Sequence, residues 1–280
     1  EAKEGEEQKY ETVIEDEVLN SQKALWLRQA NDIKEDEYKE FYKNISKDFK
    51  DPVKTIHYKA EGTIEFSALM FIPESKPWNY DYEDADKGLS LYVKRVLIMN
   101  NCEELLPTHL RFVKGVVDSS DLSLNVSREI LQKDRQIVAI KKAVTSRVYK
   151  TLGDMLKKDR VTYEKFWNEF GASLKEGIVR DPGQKEKVLP LSLFLTTNSE
   201  KLSSLNEYIE RMPEAQKEIY YIFGESRTYL EQSPHLEKLK DKGFEVILLT
   251  DRIDEFMIQH LDKFEEKKFV SITDADLDVD

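Results

Sequence analysis

In the stretch Leu124-Asn-Val-Ser-Arg-Glu-Ile-Leu-Gln-Lys-Asp-Arg135 an arginine stands at the entry to a segment with helical periodicity. A helix start carries a partial positive charge and unpaired N–H groups, so a cation there is disfavoured by about 0.3–1 kcal/mol. Glu129 is the ordinary occupant of such a position. Arg128 becomes favourable if its planar fork of N–H donors meets an anion, and the helix N-terminus would reinforce a phosphate held there. Asn125 precedes it and Gln132 follows one helical turn later. Spacing alone leaves two readings open: a phosphate-contacting arginine, or a solvated or locally paired one, which is the commoner fate of a surface arginine.

Other catalytic signatures are missing from the sequence. It holds neither a Gly-x4-Gly-Lys-Ser/Thr loop nor a Gly-x-Gly-x-x-Gly turn, so no known loop cradles a nucleotide. His57, His109, His235 and His260 lie far apart, without the spacing of a zinc site, and are expected to be structural or solvated. Cys102 is the single cysteine. It has no visible base to activate it and no thiol to pair with, which points to a reducing compartment.

The chain that must position these groups has 280 residues, 40% of them hydrophobic, enough for two compact units with cores of their own. Its formal net charge of −12 argues against nucleic acid and anionic membrane as partners. No apolar run approaches the roughly 20 residues needed to cross a bilayer. An acidic opening, Glu1 to Glu17, and an acidic close, Thr273 to Asp280, read as cuts through a longer protein, the first as a solvated linker.

Between these ends the periodicity changes several times. Asp32 with Glu35 suggests a capping box, followed by a helix that places Tyr38, Phe41, Tyr42, Ile45 and Phe49 on one face before Asp51-Pro52. Alternation predicts a strand over 63–72, with further strands at 91–99 and 112–117. A long helix to about Leu156 has the stripe Ile137, Ile140, Val144, Val148 and Leu152, and a second carries Phe166, Trp167, Phe170 and Leu174. After Gly183 strands (191–196, 218–223, 244–250, 269–272) alternate with helices, one of them opened by a Ser204…Glu207 capping box. That order implies a small parallel sheet with crossover helices.

The run Gly115-Val-Val-Asp-Ser-Ser-Asp-Leu-Ser-Leu-Asn-Val-Ser-Arg-Glu-Ile-Leu-Gln132 closely resembles the signature of the middle segment of heat-shock protein 90 chaperones. Ala24-Leu-Trp-Leu-Arg28, Phe71-Ile-Pro73, Leu91-Tyr-Val-Lys-Arg-Val96, Arg211-Met-Pro213 and Thr250-Asp-Arg-Ile-Asp-Glu-Phe256 are similar to further blocks in family order. The resemblance covers about residues 19–272, and Pro77-Trp78 and Asp118-Ser-Ser-Asp121 look most like its bacterial-type branch. It implies a mixed α/β fold: an acidic linker (1–18), a large αβα unit with the catalytic loop (19–145), a helical connector (146–187) and a smaller αβα unit (188–280).

The resemblance also implies a function. In the family the arginine of Ser-Arg-Glu reaches the γ-phosphate of ATP, held with magnesium by a preceding domain, and a glutamine four residues on supports the loop. These match Arg128 and Gln132, and Asn125 matches a polar loop position. Client proteins would be bound by Phe49, which matches an aromatic position that meets client but whose helical phase also suits a core, and by the loop with Trp78, Tyr80 and Tyr82, where the place of Trp78 between Pro77 and an acidic stretch itself predicts exposure. Further implied are a homodimer formed through a following domain, a cytoplasmic location or else an organellar matrix, and no ATP hydrolysis by this chain alone. Ser123 in place of the usual Pro, Lys94 in place of Arg and Leu97 in place of an aromatic depart from the pattern at the domain-docking face. The competing reading is a non-catalytic interaction scaffold.

Overall fold

The computed structural model describes residues 23–62, 64–82, 88–124 and 134–274. Their strands form two sheets. The first has the order β1 (Lys54–Ala60), β2 (Phe66–Ile72), β5 (Lys114–Ser119), β3 (Leu89–Val93), β4 (Val96–Cys102). Only β3 and β5 run parallel; the other neighbours are antiparallel.

Strand β2 is buried at every position, because both sheet faces are covered. Leu69 and Phe71 face Trp26 and Tyr42, the latter from helix α1 (Glu35–Ser46). Ala68, Met70 and Ile72 face the core shared with helices α2 (Arg135–Lys158) and α3 (Arg160–Arg180). The backbones of β2 and β5 approach so closely at Gly115 that a Cβ there would collide with the Leu69 carbonyl. Only glycine fits that strand position.

Helix α1 starts two residues later than the sequence suggests. Asp32 ends a 3-10 turn, and the cap is Lys34, whose N–H donates to Glu37 at 2.9 Å. Lysine has no acceptor, so only this half of a capping box exists. Lys47 turns left-handed (φ 58°) after Ser46 and leaves Phe49 outside the helix. The expected strand over 91–99 is instead the hairpin β3–β4, turned by Lys94 and Arg95 with φ of 50° and 68°. Such angles cost non-glycine residues about 1 kcal/mol or more. Hydrogen bonds offset that: Lys94 N–H donates to the Ser119 carbonyl (3.0 Å) and Arg95 N–H to the buried Asp118 carboxylate (3.2 Å).

Helices α2 and α3 are antiparallel partners hinged at Asp159, which ends one and accepts from Thr162 N–H of the other at 3.2 Å. All five residues of the α2 stripe are buried. Helix α4 (Lys185–Val188) leads to the second sheet, ordered β10 (Lys263–Phe264), β11 (Lys267–Ser271), β8 (Ile219–Phe223), β9 (Val246–Leu249), β6 (Leu193–Thr196), β7 (Ser199–Ser204). The trio β11–β8–β9 is parallel, as alternation implied, but an antiparallel hairpin closes each edge. Helix α5 (Leu205–Arg211) has the expected capping box, with Ser204 N–H donating to Glu207 at 2.7 Å and Glu207 N–H to Ser204 Oγ at 3.3 Å.

One contiguous apolar core runs from Ile56 and Met70 through α2 and α3 to Leu193, Ile219 and Ile247. Lys175 of α3, only 3% exposed, pins the far side with Asp254 at 2.7 Å and Asp251 at 2.9 Å. No helix among the described residues is long and apolar enough to cross a membrane.

Candidate functional site

Asn125, Arg128 and Gln132 lie outside the described residues. What is described is the frame on either side. Strand β5 ends at Ser119, and α2 begins after Asp134, whose carboxylate accepts from Gln136 N–H at 2.6 Å. The acids that precede the loop are committed to structure. Asp118 accepts from the Trp26 indole (2.9 Å) and Arg95 N–H, and Asp121 accepts from Glu65 N–H (2.8 Å). On the neighbouring hairpin Val96 and Leu97 are half exposed.

A second locus forms where the end of α1 meets the loop after β2. Phe49 is 95% exposed and Trp78 is 88% exposed, and together they line a groove of about 370 Å³. Residues 29 positions apart in sequence (49 and 78) thus share one opening. Phe49 is exposed because α1 stops three residues before it, so the core alternative from its helical phase does not hold. Pro73 and Pro77 stiffen the opposite wall. Lys50 ties the walls together through Ser75 (3.1 Å) and Glu74 (3.5 Å). Tyr82, 62% exposed, has its ring centroid 6.1 Å from that of Trp78, beside the groove.

Tyr80 differs from its loop neighbours. It is 5% exposed, with its hydroxyl 2.8 Å from Ser173 Oγ, its ring edge-on to Phe170 and the Arg111 guanidinium 4.8 Å above it. Burial pushes its phenol up to about 12. It anchors the loop to α3 and does not present an exposed face, contrary to the grouping with Trp78 and Tyr82. Lys76 N–H, donating to Glu169 at 2.9 Å, is a second anchor. Arg111 is itself fixed by two 2.9 Å bonds to Glu176. Sequence reasoning missed these positioning residues. Nothing local marks Arg111 or Ser173, whereas the lysines flanking Phe49 (Lys47 and Lys50) were visible and signal a cationic rim.

Three further reactive residues, His57, His109 and Cys102, have structural partners. His57 accepts from Tyr38 Oη through Nδ1 (2.7 Å) and donates through Nε2 to the Trp26 carbonyl (3.2 Å), since a carbonyl can only accept. His109 is buried and hydrogen-bonds Tyr149 through Nε2 at 2.5 Å; burial lowers it to about 4, so it is neutral at pH 7. Burial pushes the Cys102 thiol up to about 12, which removes it as a nucleophile at neutral pH. Among the described residues no group of three or more His, Cys, Asp or Glu could hold a metal ion.

Two covered sheets joined by a helical hairpin match a known architecture. The middle domain of a Plasmodium falciparum heat shock protein matches with a TM-score of 0.80 at 32% identity, over 89% of this chain and 99% of that one. A family model described as Hsp90 protein matches residues 1–280. The chain belongs to the Hsp90 family. It is 55% identical over 266 residues to the chaperone protein HtpG of Bdellovibrio bacteriovorus, covering 95% of this chain and 43% of that protein. With HtpG of Nocardia farcinica the identity is 48% over 279 residues, 99% of this chain and 43% of the relative. The chain therefore spans less than half the length of these curated relatives.

Proposed function

We propose that this chain is the middle segment of an ATP-dependent molecular chaperone, where it binds unfolded client proteins and completes an ATPase site built mainly by a preceding domain. The observation that carries the client half is the groove shared by Phe49 and Trp78. Large apolar side chains this exposed, set on a buried anchor, provide contact area at little ordering cost. Around them Lys47, Lys50 and Lys76 outnumber Asp48, the one carboxylate of the lining, so the groove suits apolar segments flanked by acids.

The ATPase half rests on the family relationship and on the match of Ser127-Arg-Glu129 to its motif. In this reading Arg128 contacts the γ-phosphate of ATP, Gln132 and Asn125 support that loop, and the preceding domain holds the nucleotide with magnesium. The exposed Val96 and Leu97 suit the docking face for that domain. The same reading makes the full-length protein a cytoplasmic homodimer joined through a following domain. Its working division is 1–18, 19–145, 146–187 and 188–280, although α2 crosses the second boundary unbroken. The chain alone neither binds ATP tightly nor hydrolyses it: one charge-assisted contact supplies about 1.5–3 kcal/mol, short of the roughly 8 kcal/mol of micromolar binding.

The test is fluorescence anisotropy with a labelled, permanently unfolded protein. Phe49→Ala and Trp78→Ala should each weaken binding by about tenfold or more while leaving circular dichroism unchanged. Parent-like affinity in the double variant would remove the groove from the reading.

A further inference from the structure

A different cavity, of about 420 Å³, opens between the first half of α2 and the turn that follows α3. Its size falls in the range of small-molecule sites, roughly 300–1,000 Å³. Lys141 and Lys142 reach it from α2, Arg180 from the last turn of α3 and Lys187 from α4, so four cations from three elements converge. In a protein of net charge −12 this concentration runs against the overall balance.

Carboxylates are outnumbered by these cations. Asp181 is the one carboxylate in the lining, and it accepts from Gly183 N–H (3.1 Å) and Gln184 Nε2 (2.9 Å). Arg180 is paired with Glu176 at 3.3 Å, a carboxylate it shares with Arg111. Lys141, Lys142 and Lys187 make no ion pair among the described residues.

An independent observation lies in the wall of the same cavity. Thr145 is 6% exposed, and its Oγ1 has no hydrogen-bond partner among the described residues. A buried hydroxyl left unpaired loses its hydration without compensation, so native structures seldom keep one without a reason. Here it lies one helical turn beyond Lys141 and Lys142, in the wall behind the space they flank, with its oxygen covered. His109, also in the lining, is neutral at pH 7 and adds no charge of its own.

We propose that this cavity is a binding site for a small anion carrying a phosphoryl group, held by Lys141, Lys142, Arg180 and Lys187. Phosphate oxygens accept several charge-assisted bonds at once, which a cluster of ammonium and guanidinium donors satisfies. The site is separate from the Phe49–Trp78 groove and owes nothing to the Arg128 loop.

Isothermal titration calorimetry of the 280-residue chain with inorganic tripolyphosphate and, in parallel, ribose 5-phosphate tests this. Saturable binding at low ionic strength that weakens as salt is raised is expected. Response to tripolyphosphate alone assigns the site to inorganic polyanions, and response to both assigns it to phosphate monoesters as well. Lys141→Gln/Lys187→Gln should lose about tenfold or more in affinity. Thr145→Val, which alters only the covered wall, should bind as the parent does and melt no lower, since it removes an unpaired hydroxyl. Lys238→Gln/Lys242→Gln, at an exposed site in the second unit, should bind as the parent does. Absence of saturable binding by either probe overturns the proposal, as does equal binding by the parent and the Lys141→Gln/Lys187→Gln variant.

Discussion

Trp78 and Tyr80 are two residues apart on one loop, yet their replacement by alanine should separate binding from folding. Trp78 is 88% exposed, so Trp78→Ala should change stability by no more than about 0.5 kcal/mol. Tyr80 is 5% exposed and packed between Phe170 and Arg111. Removing a buried ring costs about 3–5 kcal/mol, and the lost Ser173 hydrogen bond adds about 1. At roughly 2–4 °C per kcal/mol for a protein of this size, Tyr80→Ala should melt roughly 8–24 °C lower and Trp78→Ala within about 2 °C of the parent. Tyr80→Phe keeps the ring and should lose only about 1 kcal/mol. Calorimetry or circular dichroism melts measure all three, and anisotropy below every melting point measures client affinity. Trp78→Ala should lose about 2 kcal/mol of binding, and Tyr80→Phe almost none. If Tyr80→Ala melts with the parent, or if the two alanine variants fall together, the division into anchor and contact is wrong.

Lys175→Met leaves Asp254 buried without its cation and should destabilise by about 3 kcal/mol in urea titrations at pH 7. The deficit should shrink at acid pH, because burial raises the Asp254 carboxyl and lets it protonate early; a pH-independent deficit would count against this pairing. His109 is lowered from 6.5 to about 4, so the unfolded chain takes up a proton between those values while the folded one does not. Stability from this group is therefore complete above pH 6.5 and falls by about 2 kcal/mol by pH 5; His109→Gln should flatten that slope. With the preceding domain restored, Arg128→Ala should cut ATP turnover by about a hundredfold or more without lowering the melting temperature, and parent-like turnover and closure would return Arg128 to a solvated surface residue.

Long-range burial divides what the sequence made legible from what it did not. The α2 stripe and the Ser204–Glu207 cap were readable because each is complete within a few residues. Strand β1 was invisible: it is an edge strand with a polar outer run, and only Ile56 is buried. The β3–β4 turn was invisible too, since Lys94 and Arg95 replace the usual Gly or Asn and are held by Asp118 and Ser119 from another strand. Tyr80 joined its neighbours in the expectation because Ser173, its partner, lies 93 residues away. The exposure of Trp78 followed from its position between a proline and an acidic stretch. The role proposed for Arg128 rests on family likeness, and spacing by itself did not choose between its two readings.

The core that runs unbroken from Ile56 through α2 and α3 to Ile247 also makes the chain a mechanical part. Close-packed interiors are barely compressible and pass strain along. Asp159 is a corner braced by apolar packing on both sides, and Lys175 is a rivet at the far end. A tilt imposed at the outer edge of the first sheet therefore arrives at the second as a tilt, with no slack joint between them to absorb it. A chain built this way works as a beam: the Phe49–Trp78 groove and the frame of the arginine loop ride on the same girder, so whatever turns one must swing the other.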